Sequence, residues 1–221
     1  MDWQPLILSA QLACLTTVLL VGLAAPLAYF LAYFRFAGKS FLEALINLPL
    51  AMPPTVLGFY LLVVLGPKGF IGHTWEVLTG SYLVFTFLGI IIASLIYSLP
   101  FAIQPMKTAF EKIDRRLLES ASVLGLSPLA AFFKVVIPNS VSGICASAIL
   151  VFVHTMGEFG VILMIGGSIP GKTRVASIAI YEAVESLNYR AAGWMSLVLL
   201  LISYAFLLLI NHLNRSKTHG A

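Results

Sequence analysis

The chain has 221 residues, of which 60% are hydrophobic and 10% charged, and its mean hydropathy is +0.99. A soluble domain carries about a quarter of its residues as charged side chains, and a core of this size leaves too much surface in water to hide so much apolar area. The composition excludes an ordinary cytosolic enzyme, a disordered chain and a nucleic-acid binder, and defines a membrane protein with several spans. The net charge of +4 is small, and only its distribution is informative. Cys14 and Cys145 both lie in apolar runs, so neither a disulfide framework nor a zinc site is expected.

Charges divide the chain into its elements. No charged side chain occurs between Asp2 and Arg35, Glu43 and Lys68, Glu76 and Lys107, Lys134 and Glu158, or Arg190 and Arg215. Each gap accommodates a helix of about 20 residues, the length that crosses the hydrocarbon. Helices are required because lipid offers the backbone no hydrogen-bond partners, and the alternating segments of a barrel are missing. The fold class is therefore an all-α integral membrane protein with five transmembrane helices, whose cores are predicted at 8–34, 44–65, 83–105, 139–162 and 192–213. These form one unit over 8–213, followed by a short tail, 214–221. The N-terminus has no basic n-region and the first apolar run is too long for a signal peptide, so that run is expected to remain as a span.

Basic residues set the orientation. Arg35, Lys39, Lys107, Lys112, Arg115, Arg116, Lys134, Arg215 and Lys217 fall on one side of a five-helix topology, against Lys68, Lys172, Arg174 and Arg190 on the other. Nine against four places the C-terminus in the cytoplasm and the N-terminus outside.

The cytoplasmic connection reads as a helical hairpin within 106–138. Phe110, Ile113, Leu117, Leu118, Ala121 and Leu124 recur at helical spacing,. Gly125 supplies a stop, and Ser127-Pro128 restarts a second short helix that runs through Ala130, Phe132 and Phe133 to Pro138,. A hairpin with an apolar face needs a protein partner or the membrane surface to cover it.

The outer connection, 163–191, is expected to hold a short helix within 173–187, either on the outer face or as a sixth, poorly hydrophobic span. Glu182 and Glu185 argue against the span, since each charge costs a few kcal/mol at mid-bilayer. Residues 166–173 satisfy the phosphate-loop pattern G-x-x-x-x-G-K-T. That loop binds nucleotide only between a buried strand and a helix, with an aspartate at another strand end to hold magnesium. The two aspartates, Asp2 and Asp114, end no buried strand, and the loop lies on the outer side, so the match is coincidental.

Two constellations remain in the spans. His154 and Glu158 share a helix face but lack the further ligands a metal would need, so a hydrogen-bonded pair or independent roles are expected. Glu158 is flanked by Gly157 and Gly160, where a helix can break or approach a neighbour closely, and an ionisable group there usually faces a cavity or a partner. Pro49, Pro53 and Pro54 interrupt the second span, freeing carbonyls that are tolerated where they face protein or a cavity.

The hairpin also carries a signature. Glu119-Ser120-Ala121, Gly125, nine further residues and Val135-Val136-Ile137-Pro138 resemble the E-A-A-x3-G-x9-I-x-L-P loop of ABC importer permeases, with Ser120 for an alanine and V-x-I-P for I-x-L-P. Leu48 to Leu65 with its Pro-Pro-Thr-Val-Leu-Gly-Phe-Tyr run, Gly69-Phe70-Ile71-Gly72, Gly157-Glu158-Phe159-Gly160 and Ser168 to Arg174 look like the molybdate branch. Lys172 stands where that branch is often acidic, and sulfate and tungstate permeases share the G-E-F-G-like element.

The resemblance implies a type I permease fold and a multi-pass protein of a bacterial or archaeal plasma (inner) membrane. It implies two copies forming a pathway, a cytoplasmic ABC ATPase dimer that binds ATP and Mg, and an extracytoplasmic oxyanion-binding protein; this chain itself would hold no cofactor. In that scheme Glu119, Ala121, Gly125, Ser127, Phe132, Phe133 and Pro138 couple to the ATPase, with Phe132 and Phe133 as apolar anchors. Pro53, Pro54, Thr55, Gly157, Glu158, Phe159 and Gly160 are candidates for the pathway or its gate. Lys172, Arg174 and Arg190 are candidates for docking the binding protein. The competing class is a secondary transporter, which should place ionisable groups deep in its spans; these cores hold almost none.

Overall fold

The structure of the protein, a computed structural model, describes residues 2–215, the last six of them as backbone alone. All regular elements among these residues are helical. The first, α1, runs Gln4–Tyr33 and carries Pro26 inside it. Then come α2 (Lys39–Ala51), α3 (Pro54–Leu65), α4 (Phe70–Thr79) and α5 (Phe87–Glu111). The hairpin is α6 (Arg115–Val123), α7 (Pro128–Ala131), a π-turn (Phe132–Val136) and α8 (Ile137–Asn139). The chain continues with α9 (Val141–Met156), α10 (Gly160–Gly166), α11 (Ala176–Glu185) and α12 (Tyr189–Arg215).

Helices α1, α5 and α12 are each long and apolar enough to cross a membrane unaided. Two further helix pairs are long and apolar enough only when each is taken together across a sharp bend. α2 and α3 meet at 113°, and the α7–α8 segment meets α9 at 76°. The predicted second core, 44–65, is thus two helices. Met52 precedes Pro53, which forces it out of helical geometry (φ −90°, ψ 141°), and Pro54 restarts the chain at the first position of α3,. The predicted fourth core, 139–162, also ends early: α9 stops at Met156 and α10 begins at Gly160. The third span starts at Phe87 rather than 83, because the Thr86 side chain caps the Gly89 N–H at 3.1 Å. It runs on to Glu111, beyond the expected 105.

In the connection 163–191 the ten residues of α11 are the short helix predicted there; at about 1.5 Å per residue they are too short to span. The sequence reading missed α4, which follows Gly69 as a ten-residue surface helix. Of the predicted tail, 214 and 215 belong to α12, and 216–221 lie outside the described residues.

The core is three helices, α1, α5 and α9, with the others laid against them. One apolar cluster joins Leu20, Ala28, Leu31, Met106, Phe110, Phe132 and Val151 toward the hairpin end. A second joins Leu12, Ile90, Val161, Ile162, Ile165 and Ile178 toward the other end. Small residues let backbones close up without a hydrophobic force to drive them. A Cβ at Gly143 of α9 would fall 2.2 Å from the Ala109 Cβ of α5. Polar ties also cross between helices: Ser147 Oγ donates to the Ala102 carbonyl at 2.8 Å, and Tyr33 donates to the Phe110 carbonyl at 2.7 Å. By contrast, only 6% of the α12 span is buried.

Candidate functional site

The two helix breaks lie against each other. A Cβ on Gly160 would stand 3.0 Å from the Pro54 Cβ and 3.5 Å from the Thr55 nitrogen. One turn on, a Cβ on Gly58 would meet Met164 at 2.8 Å and the Val161 backbone at 3.2 Å. The half-helices α3 and α10 are therefore in near-backbone contact, and the candidates Pro53–Thr55 and Gly157–Gly160 form one junction. Pro53, Pro54, Thr55 and Gly157 are exposed on the single chain, Phe159 and Gly160 are half-buried and Glu158 is buried.

Glu158 is 4% exposed. Its Oε2 accepts from Ser94 of α5 at 2.7 Å, and its backbone carbonyl accepts from Ser177 of α11 at 2.6 Å. Its Oε1 is buried without a hydrogen-bond partner. His154 pairs one turn below, with its Nδ1 2.9 Å from Ser98 Oγ and its ring stacked 4.1 Å from Phe101. The His154 and Glu158 side chains thus have separate partners, Ser98 and Ser94, on α5. The sequence reading did not single out these serines; their signal is a pair four apart in an otherwise apolar span. Among the described residues no group of three or more His, Cys, Asp or Glu could hold a metal.

The hairpin is built by local chemistry. Asp114 Oδ1 accepts from the Arg116 N–H at 3.0 Å. At the far end of α6, Leu126 N–H reaches the Ala121 carbonyl at 3.0 Å across Gly125, whose φ of +79° is left-handed; this is the terminating geometry that favours glycine. Ser127 Oγ then accepts from Ala130 N–H at 3.3 Å, and Pro128 occupies the start of α7. Glu119, Gly125, Ser127 and Pro138 are exposed, and Ala121 is buried.

The two phenylalanines divide. Phe133 is 61% exposed, whereas Phe132 is 8% exposed. The Phe132 ring packs 5.1 Å from Tyr29 of α1 and 6.4 Å from Phe110 of α5. This corrects the expectation of two anchors: Phe132 is used up inside its own chain, and Phe133 alone faces out. Val123, Leu124 and Leu129, exposed beside it, enlarge the apolar face.

At the opposite end, the phosphate-loop string makes a turn with no cradle. The N–H groups of Lys172, Thr173 and Arg174 all point at the Ile169 carbonyl, at 3.0–3.1 Å, and Thr173 Oγ1 donates to the Gly166 carbonyl at 2.7 Å. The donors that would hold a phosphate are spent, and the segment before the loop is α10, not a strand. Arg174 Nε pairs with Glu182 Oε2 at 2.7 Å, and Ser168 donates to the same carboxylate. Of the three cations proposed for docking, Arg174 is committed inside the chain, and Lys172 and Arg190 are exposed. Arg190 lines a cavity of about 480 Å³ with Asp2, Trp3, Glu182 and Trp194. Nearby, Glu185 accepts from the Tyr181 hydroxyl at 2.5 Å and holds that phenol above its ordinary range.

Helices long and apolar enough to cross a membrane, two helix breaks that meet at one junction and an exposed apolar hairpin are the makings of a membrane transport component. Residues 24–217 match the family described as binding-protein-dependent transport system inner membrane component, and the chain belongs to that family. It is 46% identical over 216 residues to the molybdenum transport system permease protein ModB of Azotobacter vinelandii, covering 98% of this chain and 96% of that protein. It is 34% identical to the probable sulfate transport system permease protein cysT of Zygnema circumcarinatum, over 95% of this chain and 74% of that one. Among solved structures, a bacterial alginate ABC transporter in complex with its pentasaccharide-bound periplasmic protein superposes with a TM-score of 0.76 at 17% identity, covering 97% of this chain and 78% of that one. The shared fold is that of an ABC importer permease.

Proposed function

We propose that this chain is the permease subunit of an ATP-driven molybdate importer, in which two copies form the pathway across the membrane. The observation that carries the reading is 46% identity over nearly the full length of both chains to a molybdenum permease, against 34% to a sulfate permease. A sulfate or tungstate importer of the same architecture is the alternative.

The division of labour follows from the residues. The hairpin end gathers most of the basic residues of the connections and faces the cytoplasm. There Phe133, Leu129, Val123 and Leu124 present an apolar face that docks on an ABC ATPase, which holds the ATP and magnesium. Glu119, Gly125 and Ser127 shape that face, and Pro138 closes it. Phe132 carries hairpin motion inward, because its ring touches both α1 and α5. ATP-driven closure draws the two hairpins together, and the spans rock between inward-open and outward-open states. Lys172 and Arg190 face outward, where they guide an oxyanion-binding protein. The pathway needs only weak polar contacts, since a passage must release what it admits.

The test is ATPase activity of the reconstituted permease, ATPase and binding protein with molybdate, tungstate and sulfate compared. Stimulation by molybdate at micromolar concentration supports the reading. Stimulation by sulfate alone moves the substrate and keeps the mechanism. No stimulation by any of the three from an intact complex refutes the oxyanion assignment.

A further inference from the structure

Glu158 is a buried carboxyl in a set of spans otherwise almost free of ionisable groups. Its retention has an energetic cost, and the geometry around it shows what the group does there. The half-helices α3 and α10 begin at adjacent breaks and touch closely: a Cβ on Gly58 would lie 2.8 Å from Met164, and one on Gly160 would lie 3.0 Å from Pro54. They pack as a unit, and the far end of α10 also rests on α5, where a Cβ on Gly166 would stand 2.6 Å from the Ile90 side chain. Gly157, next to Glu158, adds no side chain at the break, while the Phe159 ring that follows packs 5.1 Å from Tyr181 of α11. At the level of the break, the Glu158 carboxyl binds α5 through Ser94, and its backbone carbonyl receives Ser177 from α11. The α9–α10 break is thus stitched to two different helices by one residue.

We infer that Glu158 is a positioning residue that latches the hinge between α9 and α10 to α5, and that the Ser94–Glu158 bond breaks when the α3–α10 piece swings during transport. The inference rests on the permease reading. The buried Oε1 has no hydrogen-bond partner, so the tie from the carboxyl to α5 rests on the bond from Ser94. Without the latch the hinge is held on α5 by apolar packing alone, its swing becomes easier, and the cycle runs more often without a transported anion to trigger it.

The experiment measures basal ATP hydrolysis, with no oxyanion and no binding protein, by the permease–ATPase complex in proteoliposomes. Wild type is compared with S94A, E158A, S94A/E158A and E158Q. One lost hydrogen bond alters an equilibrium by roughly three- to tenfold, so S94A and E158A should each raise the basal rate by about that factor. The double variant should rise no further, because both remove the same bond. E158Q keeps an acceptor for Ser94 Oγ and should return the rate to within about twofold of wild type. Basal rates equal to wild type in S94A, additive increases in the double variant, or an E158Q rate as high as that of E158A would each overturn the inference. Because S94A removes only a hydroxyl, it keeps the test open even if E158A does not fold. Molybdate stimulation of the wild type tests the transport assignment separately, so failure of one is not failure of the other.

Discussion

Replacing Gly143 by alanine puts a methyl group where α9 and α5 leave no space for one. The new Cβ would stand 2.2 Å from the Ala109 Cβ and 3.1 Å from the Pro105 carbonyl oxygen. Carbon atoms rest about 3.5–4.0 Å apart, so the two helices must separate by roughly 1.5 Å or bend around the contact. Overpacking of this kind costs about 1–3 kcal/mol, and this pair lies in the three-helix core, where there is little slack. Thermal unfolding of the detergent-solubilised protein, followed by tryptophan fluorescence, should show a Tm lower by about 2–4 °C for each kcal/mol. The obstructing atom is itself a methyl group, so A109G should relieve the clash. The double variant G143A/A109G should recover most of the loss, because the helix penalty of the new glycine is offset by the alanine that replaces the old one. A G143A protein as stable as wild type, or a double variant no better than G143A alone, would refute the argument from close approach.

The remaining predictions concern the hairpin and one ion pair. F132A should destabilise the protein by about 3–5 kcal/mol, the range for emptying a buried aromatic site, whereas F133D should leave Tm unchanged and abolish co-purification with the ATPase; a pull-down beside a melting curve separates them. G125A should fold with a cost of about 1–2 kcal/mol, because alanine must adopt the left-handed φ, and G125N should lose less, since asparagine tolerates that region; local hydrogen exchange across 115–130 reports both. The Lys107 ammonium lies 2.8 Å from Glu43 Oε1, and a cycle of E43A, K107A and the double variant should give a coupling of about 0.2–1 kcal/mol, weakened by salt.

What was legible in the sequence had a local cause. The five spans could be read because charge is excluded from lipid, and the Gly125 and Ser127-Pro128 punctuation because capping involves neighbours in the chain. The breaks were half legible. Pro53 and Pro54 announced a kink, but proline spacing does not give a bend of 113°, which depends on what each half packs against. The split between Phe132 and Phe133 was hidden, since adjacent identical residues differ only through the π-turn that carries them and through Tyr29 and Phe110, about a hundred and about twenty residues away in the chain. Arg174 read as a free cation because its partner, Glu182, lies eight residues on within α11, and the sequence does not show that the start of this helix folds Arg174 back against it. The serines of α5 were overlooked because a hydroxyl in an apolar run acquires meaning only when a carboxyl or imidazole on another helix is set opposite it.

Helix α12 contributes almost nothing to the cores of its own chain. Its span is apolar along its length yet only 6% buried, and its main neighbours are α9 and α11. Inserting such a helix needs no prepared surface: the bilayer stabilises it as an independent rod before any docking takes place. Its order of assembly is therefore separate from that of the rest, and a chain cut before Tyr189 should still close α1, α5 and α9 around Met106 and Phe110. Such a truncated protein would be correctly folded and idle, with a missing wall that no measurement of core stability could detect.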